Sequence, residues 1–419
     1  MYRILTFTSL FPNGEQPRHG IFIETRLRKL LETDSVDARV IAPVPWFPLR
    51  SQRMGRFGVY ARVPRQEKRH GIEIQHPRFL SVPGMPKRWL PYSMALGALP
   101  AARALQRSGF DFDLIDAHFY YPDGVAAAML GKWMRKPVMI TARGSDITFW
   151  PSQRVPRRMI LWAAGQARVN AGVSRALVDE MVRLGCAEDR VVVLRNGVDL
   201  ALFYEEARAV TRAALHAEGV LALSVGNLIE LKGHHLAIEA IAGLPGANLI
   251  VIGAGPEEGR LRALADRLGA SKRVRFLGVL PQAELRRYYS AADVLVLASS
   301  REGWPNVLLE AMACGTPVVA TDVWGIGEIV SAPEAGELIS QRSSDAVRGG
   351  IQRLIERRID RQLTRHFAES FAWEDTSRAQ LEAFARITCR VPHSGEPMHV
   401  RHSSAESAHS ACEERTGNA

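Results

Sequence analysis

The sequence predicts an α/β protein built from two doubly wound domains that face each other across a cleft. Three observations carry this reading. Short apolar runs alternate with stretches of helical periodicity along most of the chain. The alternation restarts beyond an Asn-Gly turn near residue 196. The length of 419 residues exceeds one ordinary core and suits two domains of roughly 150 to 200 residues each.

The first half contains RILTFTS, a helical stretch from about Phe22 to Leu31, then ARVIAPV, DLIDAHF, KPVMITA and RVVVLRNG. The second half contains LALSVGNL, ANLIVIGAG, RVRFLGV, ADVLVLASS and TPVVATD, with a helix before almost every run. Strand alternating with helix implies a parallel sheet covered on both faces. The turn Asn196-Gly197-Val198-Asp199, with Phe203 shortly after, closes the first sheet and marks the linker. The expected divisions are 1–199, 200–370, a C-terminal segment 371–390, and a tail 391–419. That tail is rich in Ser, His and Glu, which reads as disorder.

Hydrophobic residues at 47% and charged residues at 23% are ordinary globular usage, so the body of the chain has enough apolar surface to fold. The four cysteines, Cys186, Cys314, Cys389 and Cys412, show none of the close pairings of a zinc or redox site. A reducing cytoplasm fits this usage. MYRILTFTSLFP reads as a first strand, and no run approaches the ~20 apolar residues of a membrane-spanning helix.

The net charge of +10 is unevenly placed. Ten basic residues lie between Arg50 and Arg88 against two acids, Glu67 and Glu73. No aromatic-basic interleaving, zinc finger or winged-helix signature accompanies them, so nucleic acid is not the expected partner. An anionic lipid surface or a phosphorylated acceptor fits better. The neighbouring stretch Met85 to Arg107, with basic ends, Trp89 and Tyr92, suits either an interfacial helix or a helix covering the first sheet.

Open parallel sheets bind ligands beyond the carboxyl ends of their strands, so chemistry is expected in those loops. The run Ser299-Ser300-Arg301-Glu302-Gly303-Trp304-Pro305-Asn306-Val307-Leu308-Leu309-Glu310 follows the strand ADVLVLAS. It places Glu302 in a strand-end loop and Asn306 and Val307 at the start of a helix that carries Glu310. Two carboxylates at this spacing can accept from the vicinal hydroxyls of a sugar and a ribose, and the helix N-terminus suits a phosphate. Glutamates in loops and helices are otherwise most often solvated charges. A second constellation, Gly226-Asn227-Leu228-Ile229-Glu230-Leu231-Lys232-Gly233, ends another strand, and a cation there could neutralise a leaving diphosphate. Gly253-Ala254-Gly255 follows ANLIVI and allows either close backbone approach to a ligand or a tight turn. In the first half, Arg18-His19-Gly20, His118 with the following Phe119 to Gly124, and Arg143-Gly144-Ser145-Asp146 all sit after strands. Asp111-Phe112-Asp113 has a metal-binding pattern but precedes its strand, away from the cleft, and no metal is expected.

The Glu302-to-Glu310 run resembles the E-x7-E signature of retaining glycosyltransferases of the two-Rossmann GT-B architecture, the large family 4 or group 1 type. The similarity extends from the first strand to about Ile387, ending in Phe371-Ala372-Trp373-Glu374, which resembles the family's helix crossing back to the first domain. The resemblance implies that Glu302 meets hydroxyls of the transferred sugar and Glu310 holds the nucleotide ribose. It implies that Lys232 acts on the diphosphate, with Asn227 where an Arg often stands, and that Gly253 and Gly255 approach the nucleotide beside Asn306 and Val307. Gly325-Ile326-Gly327-Glu328 resembles a glycine-rich loop beside the donor. In the first domain the resemblance implies a loop containing Gly20 that closes over donor or acceptor, His118 against the transferred sugar, and Arg143, Ser145 and Asp146 on the acceptor side. The function implied is metal-independent, cofactor-free transfer with retention, from a UDP- or GDP-sugar to a glycan or lipid-linked acceptor of surface polysaccharide assembly. A sugar-nucleotide epimerase of similar build, or an inactive nucleotide-sugar binder suggested by Asn227, are the alternatives.

Overall fold

The computed structural model describes residues 1–51, 53, 55–81 and 86–388. The segment 391–419, read from its composition as a tail, lies outside the described residues, as do Met85, Cys389 and Cys412.

The first domain carries β1 (Tyr2–Phe7), β2 (Val36–Ile41), β3 (Val44–Pro45), β4 (Gln66–Arg69), β5 (Ile72–Gln75), β6 (Arg78–Phe79), β7 (Leu114–His118), β8 (Val138–Ala142), β9 (Val169–Gly172) and β10 (Val191–Val193). Eight of them form one sheet in the order β10-β9-β8-β7-β1-β2-β5-β4, in which only β4 against β5 runs antiparallel. β3 and β6 form a separate parallel pair. The second domain carries β11 (Val220–Val225), β12 (Ala247–Ile252), β13 (Val274–Phe276), β14 (Val294–Leu297), β15 (Val318–Thr321) and β16 (Gly336–Ile339). They form a parallel sheet in the order β13-β12-β11-β14-β15-β16.

The central strands are apolar on both faces because both faces are covered. β7, β8 and β14 are buried at every residue. The helices Ile21–Leu31 and Val125–Met134, which follow β1 and β7, pack into different core clusters on opposite faces of the first sheet. The strand order therefore reverses direction between β1 and β7, and between β11 and β14 in the second sheet. Those two switch points are where an open α/β sheet leaves a crevice.

Helix Trp373–Thr388 leaves the second domain and packs on the first. Val198 bridges to Ala372, and Phe384 is fully buried with Ile4, Leu27 and Leu114. Within the same layer Arg26, fully buried, donates to Gln380 at 2.8 Å, and Gln380 donates to Asp116 at 2.9 Å. Burial raises the Asp116 carboxyl to about 6, opposed by the Arg26 charge.

Helix Leu90–Arg107, expected as either an interfacial or a sheet-covering helix, turns Met94, Ala95, Ala98 and Ala102 into the core. It also leaves Trp89, Tyr92 and Leu96 in solvent. Among the described residues no helix is long and apolar enough to cross a membrane.

Candidate active site

The second switch point gathers the expected donor-side residues. Beyond β11 the turn Glu230–Lys232 ends at Gly233, whose φ of 71° is left-handed and whose added Cβ would lie 2.1 Å from the Ala298 carbonyl oxygen. Only glycine permits this approach, which holds the Lys232 loop against the end of β14. Ser300 donates its amide to the Leu231 carbonyl at 2.9 Å and completes the junction. Lys232 Nζ then stands 2.5 Å from Glu302 Oε1, and Ser299 Oγ donates to the same oxygen at 2.7 Å. Thr321 in turn donates to the Ser299 carbonyl at 2.6 Å. Beneath the loop, His234 bonds Ser224 Oγ through Nδ1 and the Asn227 carbonyl through Nε2, at 2.7 and 3.1 Å. Burial lowers His234 to about 4, so it is neutral at physiological pH and serves as a brace. The Asn227 side chain is exposed.

Helix Asn306–Ala313 starts directly after this loop. Asn306 and Val307 occupy its first turn, and Glu310 lies buried one turn on, accepting from the Tyr289 hydroxyl at 2.9 Å. Burial pushes the Glu310 carboxyl up to about 7, and the Tyr289 bond opposes that rise. Glu310, Asn306 and Gln282 line a cavity of about 50 Å³ that Phe22, Arg28 and Asp199 close from the first domain's side. Gly253 and Gly255, expected to allow either close backbone approach to a ligand or a tight turn, stand against the loop after β11. A Cβ on either would meet the backbone of the β11 loop, at 1.8 Å from Gly226 O and 2.3 Å from Leu228 O. They seat that loop.

The first switch point holds the other set. Gly20 caps helix Ile21–Leu31 with φ 71°, and its Cβ would fall 2.1 Å from Leu10 O, so the loop folds back on itself after β1. His118 ends β7 and is 2% exposed; its Nδ1 accepts from Arg143 Nη2 at 2.9 Å. That bond leaves the proton on Nε2, which faces Asp116 Oδ2 at 3.6 Å. Burial and the Arg143 and Arg26 charges hold His118 well below its ordinary value, hence neutral. Ser145 is exposed, whereas Asp146 is buried and accepts the amides of Tyr120, Arg143 and Gly144. It ties the loops after β7 and β8 together. Asp111 pairs with Lys136 at 2.8 Å and Asp113 accepts the Arg3 amide at 2.9 Å, both at the amino end of β7, opposite the end that bears His118.

Contacts that motif spacing does not predict cross between the domains. Glu328, expected beside the donor, forms an ion pair with Arg195 at 2.6 Å and accepts the Ala176 amide at 3.1 Å. Arg301 donates to the Thr148 carbonyl at 3.4 Å and lies over the Phe149 ring. Motif reading gives Asn196 only as part of the linker turn and gives nothing for Arg26, Gln380 and Tyr289, because their partners are tens to hundreds of positions away. The apolar setting of Tyr289 before the Glu310 helix is the nearest thing to a signal.

Two family models match the chain: "Glycosyltransferase Family 4" over residues 52–202 and "Glycosyl transferases group 1" over residues 210–370. TuaC of Bacillus subtilis (strain 168), a glycosyltransferase assigned to teichuronic acid biosynthesis, is 31% identical over 361 residues, covering 84% of this chain and 88% of TuaC. The D-inositol 3-phosphate glycosyltransferase of Acidothermus cellulolyticus is 30% identical over 354 residues, covering 77% of this chain and 78% of that protein. Among solved structures, sucrose-phosphate synthase from Thermosynechococcus elongatus superposes with a TM-score of 0.74 at 20% identity, over 93% of this chain and all of the other. HepE of Anabaena in complex with UDP-glucose gives 0.69 at 20% identity, over 92% and 99%. Two facing Rossmann-like sheets, the strand-end residues gathered at both switch points, and a relative above 30% identity along most of both chains lead to one assignment: the chain belongs to the group 1, family 4 glycosyltransferases and has their GT-B fold.

Proposed function

We propose that this glycosyltransferase takes a UDP- or GDP-sugar and transfers its sugar, with retention and without a metal ion, to a glycan or lipid-linked acceptor of surface polysaccharide assembly. The observation that carries the reading is the Lys232–Glu302 pair at the β11/β14 switch point. With no donor bound, the two charges neutralise each other. A nucleotide-sugar separates them: its diphosphate takes Lys232, and Glu302 is freed to accept sugar hydroxyls. Glu310 accepts from the ribose hydroxyls in the cavity at the domain seam. As the bond from the anomeric carbon to the β-phosphate oxygen breaks, charge builds on the diphosphate beside Lys232 and the start of helix Asn306–Ala313. The acceptor oxygen forms its bond on the same face, and its proton passes to the leaving diphosphate. Neutral His118, buried beside the sugar position, contributes shape and no charge. The loop containing Gly20, the exposed Ser145 and the Arg143 backbone bound the acceptor side, while Asp146 holds that loop in place. A UDP-sugar donor follows HepE, solved with UDP-glucose, a GDP-sugar rests on the family resemblance alone, and the link to surface polysaccharide assembly follows the naming of TuaC. The test is nucleoside diphosphate release from a panel of UDP-, GDP- and ADP-sugars with EDTA present, for the wild type and Glu302→Ala. Release from one donor, lost in the variant, supports the reading; release only with an added divalent ion refutes the metal-independent part.

The same enzyme works at an anionic membrane face of the cytoplasm in this proposal. Trp46 and Leu49 after β3, Leu80 after β6, Trp89 just before helix Leu90–Arg107, and Tyr92 and Leu96 along that helix are all exposed, by 45 to 61%. Trp46 donates to the Phe79 carbonyl at 2.7 Å and Ser93 Oγ to the Leu80 carbonyl at 2.8 Å, which makes these segments neighbours. Exposed Arg50, Arg53, Arg56 and Arg88 flank them. Aromatic rings ringed by cations suit a headgroup boundary. Co-sedimentation with phosphatidylglycerol vesicles that weakens with salt is expected, and no binding at low salt refutes this part.

A further inference from the structure

The geometry points to Asn196 as a positioning residue that makes the His118 side of the site dependent on closure of the second domain; the inference rests on the transferase reading above. Asn196 follows β10 and is 4% exposed. Its Oδ1 accepts from Arg143 Nη1 at 2.8 Å and from Arg26 Nη1 at 3.4 Å. Its Nδ2 donates to Asn306 Oδ1 at 3.2 Å, and its backbone carbonyl accepts from Trp304 Nε1 at 3.0 Å.

Arg143 reaches His118 with its other terminal nitrogen. An unbroken path therefore runs from His118 through Arg143 and Asn196 to Asn306, the first residue of the helix that carries Glu310. One buried side chain serves both ends only because a carboxamide has an acceptor and a donor on opposite sides. A hydrocarbon would take this partner from Arg143 Nη1 and from the Asn306 side-chain carbonyl, and unpartnered polar atoms in a buried seam are costly.

The path exists only while the domains touch. They touch closely here: a Cβ on Gly303 would lie 2.1 Å from the Arg143 carbonyl oxygen. The Arg195–Glu328 pair and the Arg301–Thr148 bond cross the same seam without contacting His118. These contacts hold the seam without Asn196, and Lys232, Glu302 and Glu310 make no bond to it, whereas the setting of Arg143 and His118 depends on it directly. Closing both excludes water and completes the site.

Asn196→Leu keeps volume and removes the side-chain bonds. Asn196→Asp keeps the Arg143 bond and can accept from Asn306 once that amide turns over. For Asn196→Leu we expect transfer to slow by at least about tenfold, the effect of losing a buried charge-assisted bond, with nucleoside diphosphate affinity by calorimetry within about threefold. Asn196→Asp should recover most of the rate. Should the Leu variant fail to fold by circular dichroism, Asn196→Ser, too short to reach Asn306, replaces it. Wild-type turnover in the disrupted variant, or affinity falling as far as turnover, overturns the inference. A substrate-free measurement runs alongside: amide exchange in 143–148 and 304–308 should quicken in the disrupted variant, and unchanged exchange overturns the inference. Quickened exchange with no transfer by the wild type upholds the coupling and counts against the transferase reading alone.

Discussion

Replacing Glu310 by Gln should make the ligand-free protein more stable at alkaline pH while weakening its hold on donor. The Glu310 carboxyl rises from 4.5 to about 7 in the folded state because burial penalises its charge. A raised folded value means that the unfolded chain releases this proton more readily. The stability associated with the neutral acid is therefore fully present below about pH 4.5 and is lost as pH rises through 7. Ionising the group in place at pH 8 then costs about 3 kcal/mol, at 1.36 kcal/mol for each pH step. Gln resembles the neutral acid at every pH and can still accept from Tyr289. Urea unfolding of wild type and Glu310→Gln at pH 5 and pH 8 should show little difference at the lower pH and a gain of up to about 3 kcal/mol for the variant at the higher. Calorimetry with the nucleoside diphosphate should meanwhile show weaker binding at pH 8, where the wild-type carboxylate is a stronger acceptor for ribose hydroxyls. A variant no more stable than wild type at pH 8, or equally stabilised at both pH values, refutes the reasoning.

Lys232→Ala should lower turnover by about 10²- to 10³-fold, the usual effect of removing one charge-stabilising group, with a smaller effect on donor affinity; steady-state and single-turnover kinetics with EDTA present separate the two. Gly233→Ala places a Cβ 2.1 Å from Ala298 O at a left-handed φ, so the Lys232 loop must shift. Donor turnover should fall although position 233 carries no functional group, and wild-type activity would show that the loop tolerates displacement. Arg26→Met removes the larger of the two positive charges acting on buried Asp116, leaving that of Arg143, and breaks the bond to Gln380, which should cost about 1.5–3 kcal/mol, as for a hydrogen bond to a charged group. Protease sensitivity at the start of helix Trp373–Thr388 should rise with it, and an unchanged unfolding midpoint would refute the pinning role.

Local pattern sufficed for the two sheets, since each central strand is a short apolar run and parallel strands buried on both faces need nothing else. It also sufficed to put the candidate residues at strand ends: Lys232, Glu302 and Arg143 lie in strand-end loops, His118 ends β7 and Glu310 lies on the helix after such a loop, and the fold brings their strands to the switch points. The juxtaposition of Lys232 with Glu302, seventy positions apart, came from tertiary structure, as did the bond from Arg26 to Gln380, 354 positions apart. So did the duties of several residues read from motifs. Gly253 and Gly255 yield space to the β11 loop, Asp146 is consumed by backbone amides, and Glu328 reaches across to Arg195. Residue type and spacing encode what a segment can become, because helix and strand periodicities are short-range. Protonation state, partner and seam contacts depend on desolvation and on which distant groups close over a side chain, and only the folded chain decides those.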